Sequence, residues 1–236
     1  MDQTIKLWFG ELLGSFELLD EAVLTISASH LVKGGALVAI LLYIWIAKPG
    51  QFWIAESKTQ FQNRAAIMAA LVASVFAETF ALILSRITDY RLRPFLEEAF
   101  DLQVPERLQL LSSDMMSSSS FPSDHAILFF AIVGAIYMVS RRLGIFAFVY
   151  CTIFIAFPRI YLGLHYASDI LVGAAIGFLF AVAGIKLFQN SKPMQWGIHW
   201  SYLHPAWFYP VFFLFLYQVA TMLEDVRAFA QLLKFI

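Results

Sequence analysis

An all-α, polytopic membrane helix bundle is the fold class this sequence predicts, and three observations predict it. Of 236 residues, 60% are hydrophobic and only 14% are charged, where a soluble domain carries about 25%. The apolar residues form runs of about 20, long enough to cross a hydrocarbon core of about 30 Å as helix. Charges, proline and glycine collect between the runs, as in Lys48-Pro49-Gly50 and Arg141-Arg142. The expectation is five to six transmembrane helices plus an N-terminal amphipathic helix. Residues 1–28 form an amphipathic N-terminal segment, 29–223 the membrane-spanning domain, and 224–236 an amphipathic C-terminal tail.

In chain order, Ile5, Trp8, Phe9, Leu12, Leu13, Phe16 and Leu19 recur at i, i+3, i+4, which predicts an amphipathic helix over 3–19. It lies in the membrane interface, packs on the bundle, or, with the rest of 4–28, inserts. Apolar spans follow at about 29–47, ended by Lys48-Pro49-Gly50, and at about 65–85, between Arg64 and Arg86. Residues 86–123 are polar. Further spans run from Ser123 to Arg141, from Leu143 to Tyr161 and from Ser168 to Lys186. A polar turn over Gln189–His204 leads to a last span at about 205–223.

Composition excludes several classes. No basic stripe offers itself to nucleic acid, and a net charge of −1 selects no partner. The single Cys151 lies in an apolar run, so neither a disulfide framework nor a zinc cluster is expected. Asp2, Glu11, Glu17, Asp20 and Glu21 are unlike the basic start of a cleavable signal. Lys48, Lys58, Arg64, Arg141, Arg142, Lys186 and Lys192 share one face in short basic loops, which places that face in the cytoplasm. Trp45, Trp53, Trp196, Trp200 and Trp207 lie near its span ends as anchors. The other face, outside, carries three polar groups: Arg86 to Pro94, Pro122-Ser123-Asp124-His125, and Arg159 to Asp169.

Each of these groups abuts a span end, so a bundle can bring them together. Arginines present forks of donors that match phosphate oxygens. Ser123 and the backbone N–H groups at the next helix start make an anion site. His125 and His165 permit nucleophilic and acid–base roles near neutral pH. Asp169, four residues after His165, lies on the same helical face if both are helical. A carboxylate accepting Nδ1–H of His165 leaves Nε2 as nucleophile, the orienting logic of a catalytic triad. The chemistry indicated is phosphoryl transfer, with fixed positive charge opposing the charge that develops.

These residues resemble the type 2 phosphatidic-acid phosphatase superfamily, lipid phosphatases related to vanadium haloperoxidases. The family pattern is Lys-x6-Arg-Pro, Pro-Ser-Gly-His and Ser-Arg-x5-His-x3-Asp. This chain reads Arg86-x6-Arg93-Pro94, Pro122-Ser123-Asp124-His125 and Pro158-Arg159-x5-His165-x3-Asp169. The resemblance implies that His165 attacks phosphorus, Asp169 orients it, and His125 protonates the leaving oxygen and then activates water. It implies that Arg86, Arg93, Ser123 and Arg159 hold the phosphate, with no metal and no cofactor. Three positions depart from the pattern: Arg86 stands for Lys, Pro158 for Ser, and Asp124 for Gly. A carboxylate aimed at phosphate is repulsive, so Asp124 is expected to turn away, toward an arginine.

What the resemblance implies is an integral membrane lipid phosphatase of a bacterial inner membrane, its site facing the periplasm or exterior. Its partners are the bilayer and a lipid phosphate or diphosphate; the substrate favoured is a polyprenyl diphosphate such as undecaprenyl diphosphate. Phosphatidylglycerol phosphate, phosphatidate, lipid A, or transfer of phosphate to a lipid acceptor fit the same site. A non-catalytic anionic-lipid binder or transporter is the reading from another class. Arg91 and Asp89 are expected to be a solvated pair. His30, His199 and His204 are expected to be structural or interfacial. Glu78, inside a span, is open between a helix contact and substrate binding.

Overall fold

A computed structural model describes residues 2–54, 58–97, 100, 102, 104–110, 115–116 and 118–233, with side chains for all of these except 3 and 230–233. Among them every regular element is helical. The helices are α1 (Asp2–Leu12), α2 (Glu17–Ala28), α3 (Leu31–Ile46), α4 (Gln60–Ile87), the short α5 (Glu106–Gln109), α6 (Asp124–Val139) and α7 (Arg141–Tyr161). They continue with α8 (Ala167–Phe188), α9 (Lys192–Leu203), α10 (Pro205–Ala220) and α11 (Glu224–Leu233).

Helices α4, α7 and α8 are each long and apolar enough to cross a membrane, and α2 with α3 make a fourth span if their 63° bend is one broken crossing. The spans expected at 123–141 and 205–223 are the shorter apolar helices α6 and α10. At 16 residues, α6 is about 24 Å long, less than the hydrocarbon core. It sits at the centre and is buried along nearly its whole length, from Ala126 to Ile136, as its all-round apolar sequence requires. Helices α4, α7 and α8 surround it. Within lipid, tight packing rather than water exclusion holds such helices together.

Two expectations about elements change. The helix expected over 3–19 is broken: α1 stops at Leu12, Gly14 takes a positive φ of 86°, and α2 starts at Glu17. Glycine reaches that conformation without a Cβ clash, and Asp20 accepts the Gly14 N–H at 2.9 Å. The turn expected over Gln189–His204 is largely helix α9. Ser191 stands before its first turn and Pro193 within it, a helix start that the polar composition masked. Its Trp196 and Trp200 stack with centroids 5.9 Å apart.

The basic face is one end of the bundle. Lys58 donates to the Met138 carbonyl at 2.6 Å, and Arg64 donates to the Trp45 carbonyl at 3.0 Å while lying over the Trp45 and Tyr202 rings. Lys58, Lys186 and Gln189 line one cavity there. His199 and His204 are exposed on the elements around this end. The three polar groups meet at the opposite end.

Candidate active site

The site is set by how closely α8 crosses α6. A Cβ on Gly177 would stand 2.1 Å from the Ile127 carbonyl oxygen, and one on Gly173 would stand 2.8 Å from that of Ser123. Small residues at a crossing let two backbones touch. Here the crossing sets the start of α6, with His125, against the start of α8, just after His165. The Ser123 N–H reaches the Asp169 carbonyl at 3.4 Å.

His165 lies in the loop between α7 and α8. Its Nδ1 is 2.8 Å from the Ser120 carbonyl oxygen. A carbonyl only accepts, so Nδ1 carries the proton and Nε2 keeps its lone pair. Nε2 faces Nη1 of Arg93 at 3.4 Å. Burial, then the charge of Arg93, holds the imidazole pKa well below the usual histidine range, with Arg159 and His125 adding to the effect and Asp124 opposing it. Neutral, desolvated and with Nε2 free, this is the nucleophilic form of histidine.

Asp169 does not take the Nδ1–H directly, as the spacing had suggested. Its Oδ2 is 3.9 Å from Nδ1, beyond hydrogen-bond distance. Oδ2 instead accepts from Ser120 Oγ at 2.6 Å and from the Tyr166 N–H at 2.9 Å. Asp169 is in the first turn of α8, and its side chain folds back on the helix start as capping side chains do. It therefore fixes Ser120, whose carbonyl fixes the ring.

The remaining oxygen, Oδ1, accepts from Arg91 Nη1 at 2.5 Å. Arg91 also donates to Ser168 Oγ and to Asp2 Oδ2, each at 2.9 Å, and lies over the Tyr166 ring at 3.8 Å. Arg91 is thus not part of a solvated pair with Asp89. Asp2 in turn accepts from the Ser168 backbone N–H at 3.1 Å and from its hydroxyl at 2.6 Å. A carboxylate is favoured there, at the N-terminus of α8. Helix α1 is thereby pinned to the site.

Arg86 stays outside this network. It is exposed in the last turn of α4, on the face of exposed Leu82 and Ile83, and makes no hydrogen bond among the described residues. Six residues lie between it and Arg93 in sequence, but α4 ends at Ile87 and the chain turns between them. Arg93 is well placed: Nη1 donates to the Leu164 carbonyl at 3.1 Å and Nη2 to Ser118 Oγ at 3.1 Å. Ser123 is fully buried before α6, its Oγ accepting the Ala126 N–H at 3.4 Å and its hydroxyl proton free to donate elsewhere.

On the other side lies His125. Its Nδ1 is 2.8 Å from Asp124 Oδ1, which also accepts the His125 backbone N–H at 2.7 Å. Nε2 meets a guanidinium N–H of Arg159. Asp124, expected to turn toward an arginine, turns first to its neighbour and fixes the tautomer of His125; Arg227 Nη1 is 3.9 Å from its other oxygen. Glu78 is buried and pairs with the same Arg227 at 3.4 Å, and His30 pairs with Glu224 at 3.3 Å. Ser120, Asp2 and Arg227 lie in no motif, and Arg91, inside the Arg86-x6-Arg93 segment, was expected only as a solvated partner of Asp89; each acts through a contact to a residue far away in sequence.

Two histidines with opposite orienters and a set of arginines are now in one place. Residues 66–193 match the PAP2 superfamily. The chain belongs to the PAP2 superfamily. Members of this superfamily are phosphatases. The matched segment of this PAP2 protein holds His125, Arg159, His165 and Asp169. The chain is also similar to the bacitracin transport permease protein BcrC of Bacillus licheniformis, 29% identical over 132 residues, 56% of this chain and 58% of that protein. The match thus spans less than two thirds of that relative. No solved structure matches.

Proposed function

We propose that this protein is a lipid phosphate phosphatase that removes the terminal phosphate of a polyprenyl diphosphate through a phosphohistidine at His165. The observation that carries the reading is the presentation of the His165 Nε2 lone pair to Arg93, with a second histidine, held by its own carboxylate, beside it. Binding of an anion calls for the arginines; it does not call for two histidines of fixed tautomer.

In the first step Nε2 of His165 forms a bond to the terminal phosphorus, and the bond from phosphorus to the bridging oxygen breaks. His125, carrying a proton on Nε2 once substrate phosphate intervenes between it and Arg159, gives that proton to the bridging oxygen. Lipid monophosphate departs. In the second step His125 takes a proton from water, the oxygen attacks phosphorus, the P–N bond breaks and inorganic phosphate leaves. Arg93, Arg159 and the Ser123 hydroxyl bind the equatorial oxygens, where charge concentrates in the transition state. In this reading the arginines supply the positive charge that a metal supplies elsewhere. The site opens at the periplasmic or outer face of a bacterial inner membrane, opposite the Lys/Arg-rich end.

The relative's printed name describes transport of bacitracin, which supports a permease as the second reading. The two separate on one experiment. Protein purified in detergent is given a prenyl diphosphate, and released phosphate is measured. The expected outcome is turnover in wild type and none in His165→Ala; phosphate release that survives in His165→Ala removes it as nucleophile, and a wild type without turnover favours the permease. A lipid alcohol added as acceptor distinguishes transferase from hydrolase, because each differs only in what attacks the phosphohistidine.

A further inference from the structure

Beside the histidines lies a cavity of about 340 Å³. His125 and Arg159 line one part, and Lys33, His30, Glu224 and Arg227 line another. His165 is not among its walls. Since His125 is the group that meets the leaving oxygen in the proposed reaction, this cavity lies on the leaving-group side.

Lys33 is 5% exposed. It stands in the π-helical turn Leu31–Gly35 that opens α3, just after the 63° bend from α2. The turn is wedged in place: a Cβ on Gly34 would stand 2.1 Å from the Ala220 carbonyl oxygen at the end of α10. Insertions of this kind often mark functional positions. Arg227 and His30 have acidic partners, Glu78 and Glu224. The Lys33 ammonium has no hydrogen bond or ion pair among the described residues. Arg159, also on the cavity wall, has no carboxylate within salt-bridge distance among them either. Burying a cation without a partner is costly, and the cost is recovered when an anion fills the space.

We propose that Lys33 binds the phosphate that is not transferred, so that this cavity selects lipid diphosphates over lipid monophosphates; the inference rests on the phosphatase reading above. A diphosphate leaves behind a lipid monophosphate that keeps negative charge on its non-bridging oxygens after His125 has protonated the bridge. A monophosphate ester leaves behind an alcohol, neutral once His125 has protonated it. Only the first gives the Lys33 ammonium a counter-charge on the side where it stands.

The test compares wild type and Lys33→Met on a prenyl diphosphate and on the monophosphate of the same prenyl alcohol. Loss of a charged hydrogen bond is expected to lower kcat/KM for the diphosphate by about tenfold or more, with the monophosphate changed by less than about twofold and Lys33→Arg recovering most of the diphosphate rate. Equal losses on both lipids, or no loss on the diphosphate, overturn the assignment. If Lys33→Met does not fold, competition on wild type decides: inorganic pyrophosphate should inhibit at far lower concentration than orthophosphate, and equal potency overturns it. A wild type inactive on both lipids overturns the phosphatase reading itself, and Lys33 with it. That result is distinct from an active wild type in which Lys33 is indifferent.

Discussion

Arg91 Nη1 lies 2.5 Å from Asp169 Oδ1, and the other terminal nitrogen of the same guanidinium lies 2.9 Å from Asp2 Oδ2. One side chain therefore ties the first helix of the chain to the carboxylate that, through Ser120, supports His165. Its charge is secure: burial acts against it, but the Asp2 hydrogen bond and the Asp169 charge raise its pKa above the ordinary arginine value. The planar fork reaches two carboxylates at once, which a lysine ammonium cannot do with the same geometry.

Arg91 is accordingly a positioning residue. Arg91→Ala is expected to lower kcat about 10- to 100-fold with a smaller change in KM, because the substrate is held by other arginines. Arg91→Lys should recover only part of the rate. Arg86→Ala, removing an exposed charge outside the network, should leave kcat and KM within about twofold of wild type. Steady-state kinetics on one lipid diphosphate checks all three. A large loss in Arg86→Ala with none in Arg91→Ala would reverse the assignment.

Asp124 hydrogen-bonds His125 and not His165, so its loss should depend on the leaving group. Asp124→Asn keeps the shape but cannot hold the imidazolium that donates the proton. It should slow hydrolysis of a lipid diphosphate by about 10²-fold or more. An aryl phosphate, whose phenolate departs without a proton, should be slowed much less in the step that forms phosphohistidine. A burst of phenolate in rapid-mixing experiments reads that step. Equal slowing of both substrates would argue against Asp124 as the orienter of the acid.

The lowered pKa of His165 carries a pH signature. Its ordinary value is 6.5, and burial with Arg93 holds it well below that. His165 is therefore neutral through neutral pH, and if it is the proposed nucleophile, activity is lost only as pH falls through the lowered value. With the aryl phosphate, the burst rate constant should stay level down through pH 6.5. A fall centred at 6.5 would show that the ring is not shielded as the structure has it.

Lys6 offers a test of stability. Its ammonium is buried in α1 without a hydrogen-bond partner among the described residues, and a Cβ on Gly163 would stand 2.6 Å from its Nζ. Burial lowers its pKa from 10.5 to about 8. The folded state binds the proton less tightly than the unfolded state, so the penalty is complete below pH 8 and fades as pH rises toward 10.5. Lys6→Met should raise the thermal midpoint at pH 7 and show a smaller advantage at pH 10. An advantage that grows with pH would contradict the burial.

How much was legible beforehand varies with the range of the interaction. The helix over 3–19 failed at Gly14, where the apolar periodicity continues through a residue that turns the chain. α9 was hidden because a polar, tryptophan-bearing stretch reads as a connection, although Ser191 and Pro193 mark a helix start. His165, His125 and Arg159 were visible because each lies in a short motif at a span end. Ser120 was invisible in principle, since it is the backbone carbonyl that meets His165, and any residue supplies a carbonyl.

By itself the sequence determined the helical membrane class, the family resemblance and the identities of His125, Arg159, His165 and Asp169. Apolar run length and motif spacing are local quantities, and they survive without coordinates. Only the tertiary structure decided that Arg91 and not Arg86 joins the network at Asp169, that Asp124 hydrogen-bonds His125, and that Lys33 faces the cavity beside them. The physical reason is that a charged side chain acts over a few ångströms in space. Which residues come that close depends on where α4 ends, how tightly Gly173 and Gly177 let α8 approach α6, and how the turn at Leu31–Gly35 is wedged against α10.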